Sequence, residues 1–417
     1  MKYLVKKLPQ KDYADFVNIV VNAYPGFGIR SDKDKESFHK RLLRVNHDDP
    51  HVNYYGCYQG KQLLGGIRLF DFTMTMFGAK VAIGGGGLLA VDLMHKEEKV
   101  ARELMIFFIN HFRKKGVTMA TLYPFRPDFY KKMGFGYGTK LNGYTIKPGN
   151  LPSGGAREKV GYLKKKEWPA MAACYNRFAD KTHGMFQREI YEKRYFERSE
   201  IKVAGYREGK KIKGYIVFTF KTGTDENFLD IGMRINEFIY ESCEAFLALM
   251  TFLKTQADQC KYIKYATQDD SFHHVPSDPR NGSDCLIPML AHETNNEGVG
   301  IMYRVLDTPG LFGELKNHYF GEETLKLKIT LHDSFLKEND GSYIVHFDGG
   351  RARIAKSADY DVEISMDVSD FSSMIMGVIS FKKLHSYCQA EISDMKYLET
   401  VNQIFLAEEQ PICMTMF

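Results

Sequence analysis

Four consecutive glycines, Gly84-Gly85-Gly86-Gly87, precede the apolar run Leu88-Leu89-Ala90-Val91. This pattern reads as a strand along which other backbones or side chains approach closely. Residues 92–95 then lead into a helix expected over about 96–115. A helix start offers free N–H groups and a partial positive charge, which suits a phosphate group. The pattern is not a Walker loop, because no Gly-Lys-Ser/Thr follows, and it is not the dinucleotide fingerprint. His95 sits beside this loop and is a candidate to help hold phosphate. Two clusters could ligate a metal, His47-Asp48-Asp49-Pro50-His51 and Asp269-Asp270 with His273-His274. Asp-Pro marks a turn, so both are read as solvated loops and no metal is expected. Cys57 reads as a strand residue, and Lys164-Lys165-Lys166 as solvated surface.

The elements that must position this loop follow from periodicity. A short strand is expected over 2–8. A helix over 10–23 has apolar residues at helical spacing, and a second helix starts at Ser31, with acids early and bases late. Strands are expected over 52–58 and 63–75, joined by the turn Gln59-Gly60-Lys61, and a further strand over 80–91. A strand over 118–123, a helical turn over 129–133 and a closing strand over 137–146 complete the segment. The order describes a mixed sheet with helices on its faces. The Pro-, Gly- and Ser-rich stretch 147–155 is read as a linker.

The second segment repeats the first. Glycines 56, 60 and 65 recur at 205, 209 and 214, each 149 residues on, and Lys61 recurs as Lys210. Each copy is preceded by two helix-like stretches (167–178 and 189–197 in the second) and followed by strands, an apolar helix and another strand. Leu104-Met105-Ile106-Phe107-Phe108 has its counterpart in Leu249-Met250-Thr251-Phe252-Leu253, and a strand is expected over 262–266. This is a duplicated domain. From about 299 the pattern changes to strands first (325–331, 343–347, 362–366) and helices later (367–377, 381–387, 395–405), an α+β order. The apolar end, 410–417, is expected to be extended and packed.

Composition excludes several classes. The 417 residues are 44% hydrophobic and 26% charged with a net charge of +5, which excludes wholesale disorder and gives no reason to invoke nucleic acid. The apolar stretch 245–253 is far short of a membrane span, and residues 1–7 lack the apolar core of a signal peptide. Seven scattered cysteines without a Cys-x-x-Cys pair fit reduced thiols in a cytoplasmic protein. Twenty-five Tyr and thirty Phe can fill cores, line a large pocket or form a subunit interface.

Residues Phe129-Tyr130-Lys131-Lys132-Met133-Gly134-Phe135-Gly136-Tyr137-Gly138 resemble the Tyr-x-x-x-Gly-Phe/Tyr-Gly signature of the GNAT N-acetyltransferases. The end Pro411-Ile412-Cys413-Met414-Thr415-Met416-Phe417 resembles that of the Eis (enhanced intracellular survival) group, which closes on Phe. With the duplication, the resemblance covers the whole chain. It implies tandem GNAT domains, with mixed sheets flanked by helices (α/β), and a sterol-carrier-like α+β domain. The expected segments are 1–150, binding acetyl-CoA; 151–298, a degenerate GNAT domain without the glycine strand; and 299–417, ending in a catalytic C-terminus.

The resemblance further implies an acetyl-CoA-dependent N-acetyltransferase with no metal. It would act by direct transfer on a small-molecule primary amine, aminoglycoside-like or lysine-like, as a cytoplasmic homohexamer. Donor contacts map to Leu89, Ala90 and Val91 for the pantetheine; to Glu97, Glu98, Lys99, Val100, Ala101 and Arg102 for the pyrophosphate; and to Phe125 and Arg126. Tyr130 maps to the general acid and the α-carboxylate of Phe417 to the base. Tyr24 and Phe27 are expected to wall the acceptor pocket. One departure stands out: Lys99 occupies the family's glycine position, and Glu97 and Glu98 lie beside the phosphate, so weak donor binding is expected. The alternative is a weakly active or inactive GNAT-fold protein that binds an apolar or small-molecule ligand.

Overall fold

The computed structural model describes residues 3–188, 199–224 and 227–417. The helix expected over 189–197 lies outside the described residues. The chain forms two compact units: residues 1–138, 301–410 and 416–417 make one, and residues 139–300 and 411–415 the other.

In the first unit, β1 (Leu4–Lys7) is followed by α1 (Tyr13–Ala23), α2 (Asp32–Asp48), β2 (Val52–Gln59), β3 (Gln62–Met76) and β4 (Ala79–Val91). Then come α3 (Val100–Lys114), β5 (Met119–Leu122), α4 (Pro127–Lys131) and β6 (Gly136–Tyr137). Tyr13, Phe16, Val17, Ile19 and Val20 form the buried face of α1. Ser31 caps α2 through a capping box with Asp34. The β2–β3 hairpin turns at Gly60, whose φ of +60° favours glycine. Helix α3 starts at Val100, not at 96, because Glu97 and Lys99 adopt φ of +67° and +65°, outside the helical region.

The glycine strand β4 is shaped by what lies against it. A side chain on Gly84 would collide with the Phe112 ring and one on Gly86 with Phe108, both on α3. On the opposite face, Gly85 lies under Phe72, and Gly87 under Phe70 and Phe417. The missing Cβ atoms let aromatic rings close on the strand from both faces.

The strand expected over 137–146 is two strands in two sheets. β6 closes the first sheet, whereas β7 (Leu141–Ile146) belongs to the second unit. The place next to β5 is taken by β16 (Met302–Val305), which pairs with both β5 and β6. Strands β6 and β7 are separated by three residues, so alternation alone reads them as one.

The second unit contains β7, β8 (Val160–Tyr162), α5 (Trp168–Ala179), β9 (Lys202–Glu208), β10 (Lys211–Thr224) and β11 (Asn227–Tyr240). It continues with α6 (Cys243–Lys254), β12 (Tyr262–Thr267), the small hairpin β13 (Leu286–Ile287) and β14 (Ala291–His292), and β15 (Asn295–Gly298). Its sheet runs β15-β7-β12-β11-β10-β9-β8. Here β11 pairs with β12 as far as Ile235, as β4 pairs with β5 as far as Gly86. Beyond that point Phe238 is buried and packs on Tyr265 of β12, with ring centroids 6.1 Å apart. Next to it Glu237 forms a buried ion pair with Arg188 at 2.5 Å.

Within this unit the tail 411–415 is anchored. Ile412 N–H donates to the His183 carbonyl (2.8 Å), Cys413 N–H donates to Gln268 Oε1 (2.5 Å), and the Thr415 and Tyr175 hydroxyls lie 3.2 Å apart. The expectation of a packed tail agrees with this.

The remainder of the first unit holds α7 (Thr308–Glu314) and a five-stranded sheet. Its strands are β17 (Leu325–His332), β18 (Gly341–Asp348), β19 (Arg351–Ile354), β20 (Val362–Asp367) and, after α8 (Val368–Ile375) and α9 (Phe381–Ser386), β21 (Ala390–Ile392). Helix α10 (Leu398–Ile404) follows, and the strand order is β19-β18-β17-β20-β21. Among the described residues no helix is long and apolar enough to cross a membrane.

Gly84→Ala is expected to lower the unfolding free energy measured in urea by about 1–3 kcal/mol through overpacking against Phe112. Adding Phe112→Leu should recover part of that loss.

Candidate active site

The site begins where the ladder stops. β4 and β5 pair in parallel up to Gly86 and Leu122, and past that point β4 has no strand neighbour on that side among the described residues. On the other side the β3 register shifts between Gly66 and Arg68, so Leu88 and Leu89 have no β3 partner. Leu88 has φ +49°. This bulge turns part of the strand backbone out of the ladder. A cavity of about 600 Å³ opens there, lined by the end of α1 and the turn after it, by residues 86–89, by residues 122–125, and by Tyr130 and Phe417.

Tyr130 lies on α4 and is 6% exposed. Burial, and secondarily Tyr24, push its phenol above the ordinary tyrosine value. It therefore remains a phenol at neutral pH and can donate a proton. Its turn is held from behind: the Met133 and Phe135 N–H groups donate to the Tyr130 carbonyl. The buried Arg304 guanidinium of β16 donates to the Met133 carbonyl and, at 2.6 Å, to Asp333. Arg304 fills the space a side chain on Gly134 would need, and Gly134 has φ +80°. The glycine of the Tyr-x-x-x-Gly signature is thus required by its neighbour.

Phe417 brings the chain's terminal carboxylate to the same cavity. Its ring meets Phe70, Phe72 and Tyr123 with centroids 5.2, 5.0 and 5.2 Å away. A methyl group placed on Gly87 would lie 3.5 Å from its carboxyl carbon and 3.6 Å from a carboxyl oxygen. Tyr24 donates a 2.5 Å hydrogen bond to the Leu89 carbonyl, stacks on Phe27 (5.0 Å) and meets Phe125 edge-on (5.6 Å).

Of the residues read from the sequence, Tyr24, Phe27, Leu89, Phe125, Tyr130 and Phe417 line the cavity. Ala90 and Val91 lie further along β4, where they pair with Gly66 and Gly65. Glu97, Glu98 and Lys99 form the exposed turn before α3. Val100 is buried in the core, and Ala101 and Arg102 complete the first helical turn, with the Arg102 guanidinium 5.4 Å from the Phe335 ring centroid. His95 is turned to Glu98 and Gln62, each 3.1 Å away. Arg126 caps α4 and is engaged by Asp128 at 2.6 Å. Arg68, Ile67, Met105 and Tyr123 also line the cavity and were not read from the sequence. An arginine on an otherwise apolar strand shows its cavity role only once the bulge is seen. Among the described residues no cluster of metal-ligating side chains forms.

Residues 5–138 match an Acetyltransferase (GNAT) domain family, and residues 179–305 match another of the same description. Residues 314–414 match the Sterol carrier protein domain family. No curated protein matches the sequence. Among solved structures, a GCN5-related N-acetyltransferase from Anabaena variabilis superposes with TM-score 0.82 at 17% identity, covering 100% of both chains. One from Kribbella flavida gives TM-score 0.78 at 16% identity, and Eis1 from Mycobacterium abscessus 0.78 at 17%, again over 100% of each chain. At such identities the likeness concerns the fold.

The chain carries two GNAT acetyltransferase domains followed by a sterol carrier protein domain, and its fold is like that of Eis1. The expected tandem GNAT and sterol-carrier arrangement is present, and one residue of the turn before α3 has a structural signature. Lys99, where the resemblance places a glycine, has the φ of +65° that glycine adopts without strain. Lys99→Gly is expected to raise stability by about 1 kcal/mol in denaturant titration. Lys99→Ala, which removes the charge but keeps the strain, should give no gain.

Proposed function

We propose that the first GNAT domain transfers the acetyl group of acetyl-CoA directly to a primary amine in the cavity between Tyr130 and Phe417. The observation that carries this reading is the α-carboxylate of Phe417 beside Gly87, in the same cavity as the buried Tyr130 phenol. Acetyl-CoA brings the acyl group as a thioester. The exposed β4 edge and the Leu88 and Leu89 amides, out of the ladder, suit a pantetheine chain and a polarised carbonyl. The α3 start and the turn 97–102 suit the pyrophosphate. The residues fit this donor.

The amine must attack as the free base. The Phe417 carboxylate takes its proton, directly or through a water, since a carboxylate of ordinary pKa ~3.5 is a weak base toward an ammonium. As the new N–C bond forms and the C–S bond breaks, Tyr130 gives its proton to the departing sulfur. The products are the amide and free coenzyme A.

The division of labour we propose follows the segments 1–150, 151–298 and 299–417. Donor binding belongs to the first alone, because in the second copy Phe238 and the Glu237–Arg188 pair occupy the corresponding divergence. Seven free cysteines favour the cytoplasm. A homohexamer, checked by light scattering, belongs to the same reading. The resemblance points to aminoglycoside-like or lysine-like acceptors, which share a primary amine. A second reading, a weakly active or inactive binding protein, is favoured by Glu97 and Glu98 at the phosphate turn. Calorimetric titration with acetyl-CoA separates the two, and a submicromolar Kd speaks against weak donor binding.

Tyr130→Phe should lower kcat in a thiol-release assay by roughly 10²- to 10⁴-fold with an unchanged acetyl-CoA Kd. Removing Phe417 alone should act similarly. Full turnover in either variant rejects that residue's role. The rate should rise with pH as the acceptor loses its proton. Burial holds the Tyr130 phenol above its usual value, so no alkaline fall is expected below pH ~10.

A further inference from the structure

We infer that the acceptor is a monoamine on an aromatic or otherwise apolar body, not a polycation. The inference rests on the amine-acylation reading above and narrows its substrate class.

Charge is the first argument. Among the described residues lining the cavity, the charged groups are the Arg68 guanidinium and the Phe417 carboxylate; no Asp or Glu side chain is present. The formal charge of the lining is therefore zero. An aminoglycoside or polyamine brings several ammonium groups, and each needs a carboxylate or water once inside a cavity. No Asp or Glu side chain of the lining is there to meet them. The reacting amine alone enters neutral and needs no counter-charge.

Shape and chemistry give the second. Phe27 and Phe125 are 51% and 71% exposed where they line the cavity, and the Tyr24 ring contacts both. Exposed aromatic rings lining a cavity favour an apolar or aromatic body by stacking and edge contacts. Deeper in, the Arg68 guanidinium lies over the Phe70 ring at 4.5 Å. Together these features match an arylalkylamine and oppose a sugar bearing many ammonium groups.

The test uses the full chain with acetyl-CoA, measuring thiol release with phenethylamine, tyramine and kanamycin. Phenethylamine or tyramine should exceed kanamycin in kcat/KM by at least tenfold. Phe27→Glu, an exposed position where a carboxylate is tolerated, should narrow that gap by tenfold or more. Kanamycin equal to or better than the aromatic amines overturns the inference. If no amine turns over, the transfer reading fails, and saturation-transfer NMR on the same protein still decides the ligand class. Transfer to phenethylamine ring protons that is lost in Phe27→Ala upholds it. Transfer to kanamycin alone, or to neither compound, overturns it.

Discussion

Four side chains that are not there govern the first unit of this protein. With Cβ atoms at 84–87, neither Phe108 and Phe112 on one face nor Phe70 and Phe72 on the other could reach β4. Contact with those rings fixes the α3 axis against the strand, and so sets where the helix start meets the end of the ladder. It also leaves Gly87 as bare backbone on which the Phe417 carboxylate rests. A larger residue at 84, 85 or 86 would collide with Phe112, Phe72 or Phe108 and push the rings off the strand.

The opening beside β4 exists because two irregularities coincide. Parallel pairing with β5 ends at Gly86, and the bulge opposite Ile67 frees Leu88 and Leu89 from β3. Either alone would leave a shorter gap. The Tyr130 turn closes one side and is itself held by the buried Arg304–Asp333 pair. A buried pair of this kind is costly to break, because loss of one partner strands a charge, and this makes the turn rigid. Arg304 comes from β16, about 180 positions after β5, so the placement of Tyr130 depends on a distant part of the chain.

Duplication followed by divergence explains the second unit. Gly86 and Ile235, 149 residues apart, both mark the end of parallel pairing. In the first copy the next residues, Gly87, Leu88 and Leu89, border a cavity. In the second, Phe238 packs on Tyr265, and Glu237 pairs with Arg188. The second copy has acquired a different use: His183, Gln268 and Tyr175 receive the tail at residues 411–415.

Much of this was legible in the chain. The hairpin glycines at 60 and 209, the α1 periodicity, the Ser31 cap and the Tyr130–Gly134 signature are local signals, each fixed by backbone sterics or by a hydrogen bond a few residues away. The glycine strand was legible as a close approach, though not what approaches it. What only the tertiary structure decided involves partners far apart in sequence. It placed β7 and β16 in sheets that alternation could not assign, delayed α3 to Val100 through two left-handed residues, turned Arg68 toward a cavity, and set the final carboxyl group against Gly87. Periodicity records which face of an element is buried. Which distant element buries it is settled only when the whole core packs.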